Sequence, residues 1–152
     1  AHVLRVIREM IFHKTKDKNT NIGISLDQIQ KLLKRKSIIF LLSDFWDDTF
    51  HKPMKRLNKK HDLINIQILD QSEIEIPNIG LIKMHDSETK QPIWVDTSAI
   101  NCCKKIQETS SKKINILNSF CLRNNIDLIR VNINDGYIAP LINFFNTRLH
   151  RK

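Results

Sequence analysis

The feature that most constrains the fold is a continuous apolar run, Ser37-Ile-Ile-Phe-Leu-Leu-Ser43. An uninterrupted run of this length is typical of a central parallel strand that is covered on both faces. Two further runs rich in isoleucine and leucine, Leu63–Leu69 and Ile126–Ile133, predict the other main strands. Because segments with helical periodicity separate the three runs, the pattern predicts βαβ units with right-handed crossovers.

Helical segments and one hairpin complete the predicted architecture. The predicted helices are residues 2–13, a helix that Ser25 caps, a short helix from Pro53 to near Lys60, a long helix that Ser98 caps, and a last helix after Gly136. The polar stretch His85–Pro92 separates the apolar segments Leu81–Met84 and Ile93–Val95, which predicts a β-hairpin. We therefore expect one α/β domain over residues 1–152. Its predicted architecture is a three-layer sandwich, in which helices cover both faces of a mainly parallel sheet and a β-hairpin is inserted.

Charge and cysteine content narrow the class of protein. The net charge is +9, but the basic residues are spread along the chain and are not interleaved with aromatic residues. We therefore expect no nucleic-acid binding, although binding through the basic surface stays an alternative. Cys102, Cys103 and Cys121 have neither disulfide-framework nor zinc-ligand spacing, so we expect free thiols in a reducing compartment.

Targeting signals are absent from the sequence. No apolar stretch approaches the length of a membrane-spanning helix, and the N-terminus lacks the apolar core of a signal peptide. The chain opens directly in a helical pattern without an initiator Met, as a piece of a longer protein would. Together these observations predict a cytoplasmic protein with no membrane segment in this chain.

Carboxylates cluster just after the first predicted strand, at Asp44, Asp47 and Asp48. The ends of parallel strands are where functional groups gather in α/β sheets, and carboxylates are ligands that Mg²⁺ prefers. One hypothesis is therefore a magnesium-dependent phosphoryl-transfer or nuclease enzyme, which needs these groups to converge on one metal or metal pair. The other interpretation is that they cap helices and turns, as Asp often does.

Other residue pairs carry less information. His61-Asp62 and His85-Asp86 resemble acid–base pairs, but sequence neighbours on a strand point to opposite faces. Ser43 lies outside any G-x-S-x-G motif, and with three glycines the chain has no phosphate-binding glycine loop. We therefore predict no catalytic residue and no bound nucleotide cofactor.

Several segments together resemble a bacterial family catalogued as domain of unknown function fifty-eight, whose members carry a von Willebrand factor A-like domain. The matching segments are HVLRVIREM at the start, Thr20–Ile22, Ser37–Asp48, His61–Lys90, Val95–Ser98 and Asn134–Arg148. The central block is the most specific of them. The resemblance implies that residues 1–152 are the C-terminal part of a von Willebrand factor A-like, Rossmann-like domain.

The resemblance also implies a partial metal site. A metal-ion-dependent adhesion site takes an Asp and two Ser from a D-x-S-x-S loop, a Thr from a second loop and an Asp from a third. By resemblance Thr20 and Asp44 match the second and third loops, whereas this sequence has no D-x-S-x-S motif. Because Mg²⁺ needs near-octahedral oxygen coordination, we expect weak or no binding by this chain, and a magnesium cofactor only in an intact parent protein.

The family resemblance also implies a function. The genes of such proteins often neighbour those of MoxR-type AAA ATPases, so we expect a non-enzymatic protein-interaction module whose partner is a MoxR-type ATPase or its client. In the family, a further strand lies beside the one that precedes Asp44. Without it the strand edge would be bare, and bare edges pair with other chains. We therefore expect a homodimer through the exposed strand edge.

Overall fold

Helices and strands alternate along much of the chain. The structure is a computed structural model that describes residues 2–13, 20–71, 79–85, 92–98 and 100–150. Its helices are α1 (His2–Phe12), α2 (Ile22–Leu32), α3 (His51–Asn58), α4 (Ile100–Arg123) and α5 (Ile138–Leu149). Its strands are β1 (Ile38–Ser43), β2 (Asp62–Leu69), β3 (Leu81–His85), β4 (Pro92–Asp96) and β5 (Asp127–Asn132).

The main sheet has three parallel strands in the order β1-β2-β5. Ile38 of β1 lies opposite Asp62 of β2, and Ile64 of β2 lies opposite Asp127 of β5. β3 and β4 pair with each other in antiparallel fashion as a separate two-stranded sheet. The sequence predictions of a parallel α/β sheet and of a hairpin between β2 and α4 are thus confirmed.

Helices cover both faces of the main sheet. On one face α2, α3 and α4 enclose the larger core, whose buried residues are Ile22, Leu26, Ile39, Phe45, Phe50, Met54, Leu57, Leu63, Leu117, Cys121 and Ile126. On the other face α5 packs Leu141 and Phe144 against Ile64, Ile129 and Val131. Alternate residues of β2 therefore enter opposite cores, as the pleat of a strand requires. Two apolar layers on one sheet explain why β2 carries apolar residues on both of its faces.

The second helix starts earlier than the sequence predicted. Ser25 was expected as its N-cap, but α2 begins at Ile22 and Asn21 is the N-cap, with its side chain accepting the N–H of Ile24. Gly23 is buried inside the helix rather than in the preceding loop. Ser25 instead donates its hydroxyl to the carbonyl of Asn21, within the first turn. The acceptors that allow this earlier start come from another part of the chain.

The first helix is helical as predicted, but it is unpacked. None of its side chains is buried, and Phe12 is 76% exposed. A pair of oppositely charged side chains, Arg5 and Glu9, lies one turn apart on its surface at 3.1 Å. Its apolar stripe is thus uncovered by the residues that the structure describes.

Arg148 links α5 to the N-terminal ends of β2 and β5. Its guanidinium binds the carboxylate of Asp62 and lies 3.2 Å from that of Asp127, the first residues of β2 and β5. Phe144, one turn earlier, places its ring 5.8 Å from the guanidinium. Asp62 is therefore an ion-pair partner of Arg148, whereas neither ring nitrogen of its buried neighbour His61 has a hydrogen-bond partner among the described residues.

Two other sequence predictions concern residues only partly described. Ser98 was expected to cap α4, but its N–H and hydroxyl both donate to the carboxylate of Asp96, and residue 99 lies outside the described residues. Asp86, the partner proposed for His85, also lies outside them.

Cys121 is a buried free thiol as predicted, and burial raises its pKa.

Candidate functional site

The loop after β1 carries the residues that the sequence singled out. Asp44 is exposed, and its Oδ1 accepts hydrogen bonds from the Ser43 hydroxyl at 3.2 Å and from the Trp46 N–H at 3.3 Å. Phe45 has a φ of 59° and is buried in the larger core. A phenylalanine in this left-handed region is uncommon, so core packing must stabilise it. The reversal turns Phe45 inward and leaves Trp46 41% exposed on the outside.

Asp47 and Thr49 of this loop hold the first turn of α2. The N–H of Ile22 donates to Asp47 Oδ2 at 2.6 Å, and the N–H of Gly23 donates to Thr49 Oγ1 at 3.0 Å. The third N–H, of Ile24, donates to Asn21 Oδ1 at 2.9 Å. The first N–H groups of a helix have no partner within the helix, and here all three have an acceptor. Two of the three acceptors come from the loop after β1.

Thr49 also joins the acceptors to one another. Its hydroxyl lies 2.6 Å from Asp47 Oδ2 and 3.2 Å from Asn21 Oδ1, and its N–H donates to Asp47 Oδ1 at 2.8 Å. The two segments are therefore linked by a hydrogen-bonded network and not by a single contact. Such a network fixes the loop against the helix end more firmly than separate bonds would.

Gly23 lets the two segments approach closely. A Cβ built at this position would lie 2.8 Å from the carbonyl oxygen of Thr49 and 2.9 Å from its hydroxyl. The first of these atoms belongs to the backbone and cannot rotate away. A glycine at a close backbone approach is one of its characteristic uses in proteins. A helix capped by Ser25, as the sequence pattern predicts, would leave Gly23 in the preceding loop, so the pattern does not indicate this role.

The network also favours the charged form of Asp47. Burial opposes ionisation of this carboxyl and is the largest single effect on its pKa, but the hydrogen bonds that it accepts, first those from the Thr49 side chain and backbone, together outweigh burial. The backbone N–H groups of Ile22 and Asp48 act in the same direction. The pKa of Asp47 is therefore lowered, and the ionised carboxylate faces the positive end of the helix dipole.

Thr20 and Asp44, the predicted metal ligands, lie on these two linked segments. Thr20 is exposed and directly precedes the N-cap of α2, while Asp44 opens the loop that binds this helix end. One threonine and one carboxylate supply too few ligands for the six-coordinate shell of Mg²⁺. Among the described residues, no three Asp, Glu, His or Cys side chains come together in a way that could hold a metal ion. Thr20 and Asp44 by themselves therefore do not fit a magnesium site.

A small cavity lies behind the loop, at the ends of β1 and β2. Its volume is about 20 Å³, enough for about one water molecule, and Asp44 and Asp70 belong to its lining. Ser110 of α4 also lines it, is 2% exposed, and its hydroxyl has no hydrogen-bond partner among the described residues. A buried hydroxyl next to a cavity of this size suits one bound water.

Lys113, one turn further along α4, contacts Trp46 of this loop. Its ammonium donates to the carbonyl oxygen of Trp46 at 2.8 Å and lies 4.7 Å from the centroid of the Trp46 ring. A cation over the face of an indole is attracted by its π-electrons. Neither Lys113 nor Ser110 carries a signal in the sequence, since both sit in a helix that only the fold brings to this loop.

The C-terminal end of β5 is joined to that of β2 by a hydrogen bond. The side-chain amide of Asn132 donates to Gln71 Oε1 at 3.3 Å, and its own Oδ1 accepts the N–H of Asn134 at 3.0 Å. The ends of all three strands thus lie along one edge of the sheet, as the parallel topology predicts. We call one part of this edge the rim, and it consists of Thr20–Gly23, Asp44–Thr49 and Asp70.

Comparison with known proteins assigns a family to most of the chain. The family model described as "Protein of unknown function DUF58" matches residues 1–114 of the 152. This chain is similar to "Uncharacterized protein Rv1480" of Mycobacterium tuberculosis, with 21% identity over 70 residues. It is also similar to "Uncharacterized protein MAV169" of Mycobacterium avium, with 24% identity over 70 residues. Each match covers 45% of this chain, and it covers 22% of the first relative and 41% of the second. No solved structure gives a significant match.

Of the helices in the described parts of the chain, none combines the length and the apolar character that a membrane span requires.

Proposed function

We propose that this chain, which belongs to the DUF58 family, is a non-enzymatic protein-interaction module that binds its partner with the rim. We propose further that its three-stranded sheet is the C-terminal part of a von Willebrand factor A-like domain and that it acts in the cytoplasm. The observation that supports this proposal most directly is the hydrogen bond from Ile22 to Asp47, because it builds the Thr20 and Asp44 segments into one preformed surface.

The chemistry of the rim suits protein recognition. Trp46 is exposed, and Lys113 contacts both its ring and its carbonyl oxygen, which limits the entropy that the side chain loses on binding. Tryptophan is enriched among the residues that contribute most to protein interfaces. Asp44 and Asp48, two residues before and two residues after it in the chain, are exposed, although the net charge of the chain is +9. The rim therefore presents an aromatic side chain and exposed carboxylates on one loop, which favours a basic segment of a protein partner.

A magnesium ion is not needed for this proposal. The metal-dependent version would have the ion join Thr20 and Asp44 to an acidic side chain of the partner, but these two ligands alone do not fit Mg²⁺. In an intact parent protein, a D-x-S-x-S loop would supply the missing oxygens. The partner that the family resemblance suggests for the rim, with or without a metal ion, is a MoxR-type AAA ATPase or its client.

The enzyme alternative receives less support. It needs Asp44, Asp47 and Asp48 to converge, yet both oxygens of Asp47 accept hydrogen bonds from the Thr49 and Ile22 groups. Asp44 is turned to its own loop, where it accepts from Ser43 and Trp46. Asp44 and Asp47 thus each have a local structural role, and no observation favours the joint use of the three carboxylates in catalysis.

Binding to a purified MoxR-type ATPase from the same genome tests the proposal. Biolayer interferometry should show binding by the wild-type chain that falls about tenfold or more in Trp46→Ala, since anchors of this kind contribute strongly to interfaces. The control is Leu122→Ala, which removes an exposed apolar side chain from α4. Equal binding by wild type and Trp46→Ala would count against the rim. Binding to duplex DNA that weakens steeply with salt would favour the nucleic-acid alternative instead.

A further inference from the structure

A groove lies between α3 and the second half of α4, on the outside of the two helices. Its volume is about 530 Å³. His51 lines it from α3, and Lys112, Ile116, Ser119 and Arg123 line it from α4. These four residues of α4 follow one another at helical spacing, so they form a single stripe along the helix. The groove shares no residue with the rim.

The groove also lies away from the free edge of β1. Asn58, on the same stripe of α3 as His51, donates its side-chain amide to the carbonyl of Asn124 just after α4, at 3.1 Å. The opposite side of α3 faces α2, where Arg56 forms an ion pair with Asp27 at 2.6 Å. α3 therefore lies between α2 and α4. A strand that extends the sheet beyond β1 would lie on the α2 side, so it would not cover the groove.

The walls of the groove carry cations and no carboxylate. α3 and the half of α4 from Lys112 to Arg123 contain neither Asp nor Glu. These two residues are about 16 Å apart along the helix axis, at about 1.5 Å per residue. Lys55 lies one turn after His51 on α3, so it adds a third cation beside the groove. None of the three cations forms an ion pair with a described residue, so their charges are free to attract an anionic ligand.

The middle of the groove is apolar, and one wall is fixed in place. Ile116 is 56% exposed and lies between the two cations of α4. The His51 ring stacks on that of Phe50, with centroids 4.3 Å apart, and meets the ring of Phe120 at 87° and 4.8 Å. Its Nδ1 also lies 3.0 Å from the carbonyl oxygen of Asp48. Since these contacts already order His51, a ligand loses little entropy by binding beside it.

We propose that this groove binds an acidic segment of a protein partner, with carboxylates at Lys112 and Arg123 and an apolar side chain on Ile116. Opposite charges at both ends set the position of the segment, and apolar burial in the middle stabilises it. An extended segment of about six residues covers the distance, at about 3.3 Å per residue. A nucleic-acid backbone or an anionic membrane repeats its charge throughout, so neither matches an apolar centre between cations.

Peptide titration followed by NMR tests the proposal. The probe is the synthetic peptide Asp-Glu-Leu-Leu-Glu-Asp, blocked at both ends and added at millimolar concentration to the isotope-labelled chain in physiological salt. The amide signals of Ile116 and Ser119 should shift, and Lys112→Ala with Arg123→Ala should weaken binding about fivefold or more. The control is Lys34→Ala with Lys36→Ala, which removes the same charge from exposed positions before β1. Equal weakening by both pairs would mean that only net charge attracts the peptide, and would overturn the proposal.

The apolar centre is tested separately. Ile116→Ser should weaken binding about threefold or more, as should a peptide with serine in place of both leucines. Ile142→Ser is the control, since this isoleucine is 54% exposed on α5, across the sheet. Circular dichroism verifies that each variant is folded.

Three results would contradict an acidic protein segment as the ligand. They are the absence of peptide-induced shifts at the groove, equal binding of the serine peptide, and tighter binding of oligothymidine or phosphatidylserine vesicles at the same residues. The measurements contain no MoxR-type ATPase, and the groove variants leave every residue of the rim in place. Failure here is therefore distinguishable from failure of the proposed function of the rim.

Discussion

The carboxylate of Asp47 accepts the backbone N–H of Ile22 at 2.6 Å, across a separation of 25 residues along the chain. This bond connects the loop after β1 with the N-terminus of α2. It gives Asp47 a structural role, although the sequence suggested it equally well as a metal or catalytic carboxylate. Asp44, three residues earlier, belongs to the same loop, so this connection links its segment to that of Thr20.

Replacing Asp47 by alanine should destabilise the chain by about 1–2 kcal/mol, the usual loss when a helix N-terminal acceptor is removed. The cause is that Ile22 loses its acceptor while Thr49 loses a hydrogen-bond partner. Urea unfolding of wild type and variant measures the difference in free energy. Asp48→Ala is the control, since this exposed neighbour should change stability by less than about 0.5 kcal/mol. Equal losses in both variants would show that the bond to Ile22 contributes little.

The same carboxylate makes stability depend on pH in a defined range. The folded pKa of Asp47 is lowered, so its contribution is fully present above the unfolded value, about 3.9. The contribution is lost as the pH falls through the folded pKa. The difference in unfolding free energy between wild type and Asp47→Asn should therefore be constant near neutral pH and shrink below about pH 4. Thermal unfolding at several pH values measures it, and a difference that grows on acidification would contradict the lowered pKa.

Gly23→Ala should destabilise the chain by about 1–3 kcal/mol, as overpacking of a buried contact does. Alanine favours helices over glycine by about 1 kcal/mol, so helix propensity alone predicts the opposite sign. The added Cβ would meet the Thr49 carbonyl oxygen at 2.8 Å, which forces the loop away from α2. Ser25→Ala on the exposed side of the same turn is the control. A stabilised Gly23→Ala variant would mean that the loop moves aside at little cost.

These contacts also explain what the sequence could and could not predict. The apolar runs correctly predicted strands at Ile38–Ser43 and Asp62–Leu69. The expectation that the first of them is a central strand covered on both faces is wrong for the described residues, because Ile38, Phe40 and Leu42 are 64%, 47% and 57% exposed. The start of α2 was predicted too late in the chain. Ser25 has the side chain of an N-cap, but the acceptors for Ile22 and Gly23 come from a distant loop that no local pattern reveals.

The rim was predicted in part for the same reason. Asp44 follows a predicted strand, so its place at the sheet edge could be inferred from topology alone. The positions of Ser110 and Lys113 could not, because they depend on how α4 lies across the ends of β1 and β2. Helical periodicity tells which residues share a face of α4, but not where that face packs.

Arg148→Met should destabilise the chain by about 1–3 kcal/mol, because two carboxylates that share one guanidinium lose it together. Arg148→Lys should recover only part of the loss, since a single ammonium cannot reach Asp62 and Asp127 with separate donors as a planar guanidinium does. Chemical denaturation of the three proteins at neutral pH gives the comparison. Full recovery by lysine would indicate that only the charge matters, and an unchanged Met variant would show that α5 is held by Leu141 and Phe144 alone.

Magnesium binding by this chain should be weak or undetectable in isothermal titration calorimetry. The reason is the ligand count: Thr20 and Asp44 offer one hydroxyl and one carboxylate, and Asp44 already accepts hydrogen bonds from Ser43 and Trp46. A hard ion that prefers six oxygens would have to keep most of its water, so it gains little over bulk solvent. Asp44→Asn is the matched variant. A dissociation constant in the low micromolar range for wild type, lost in Asp44→Asn, would contradict this prediction and show that further oxygens complete the site.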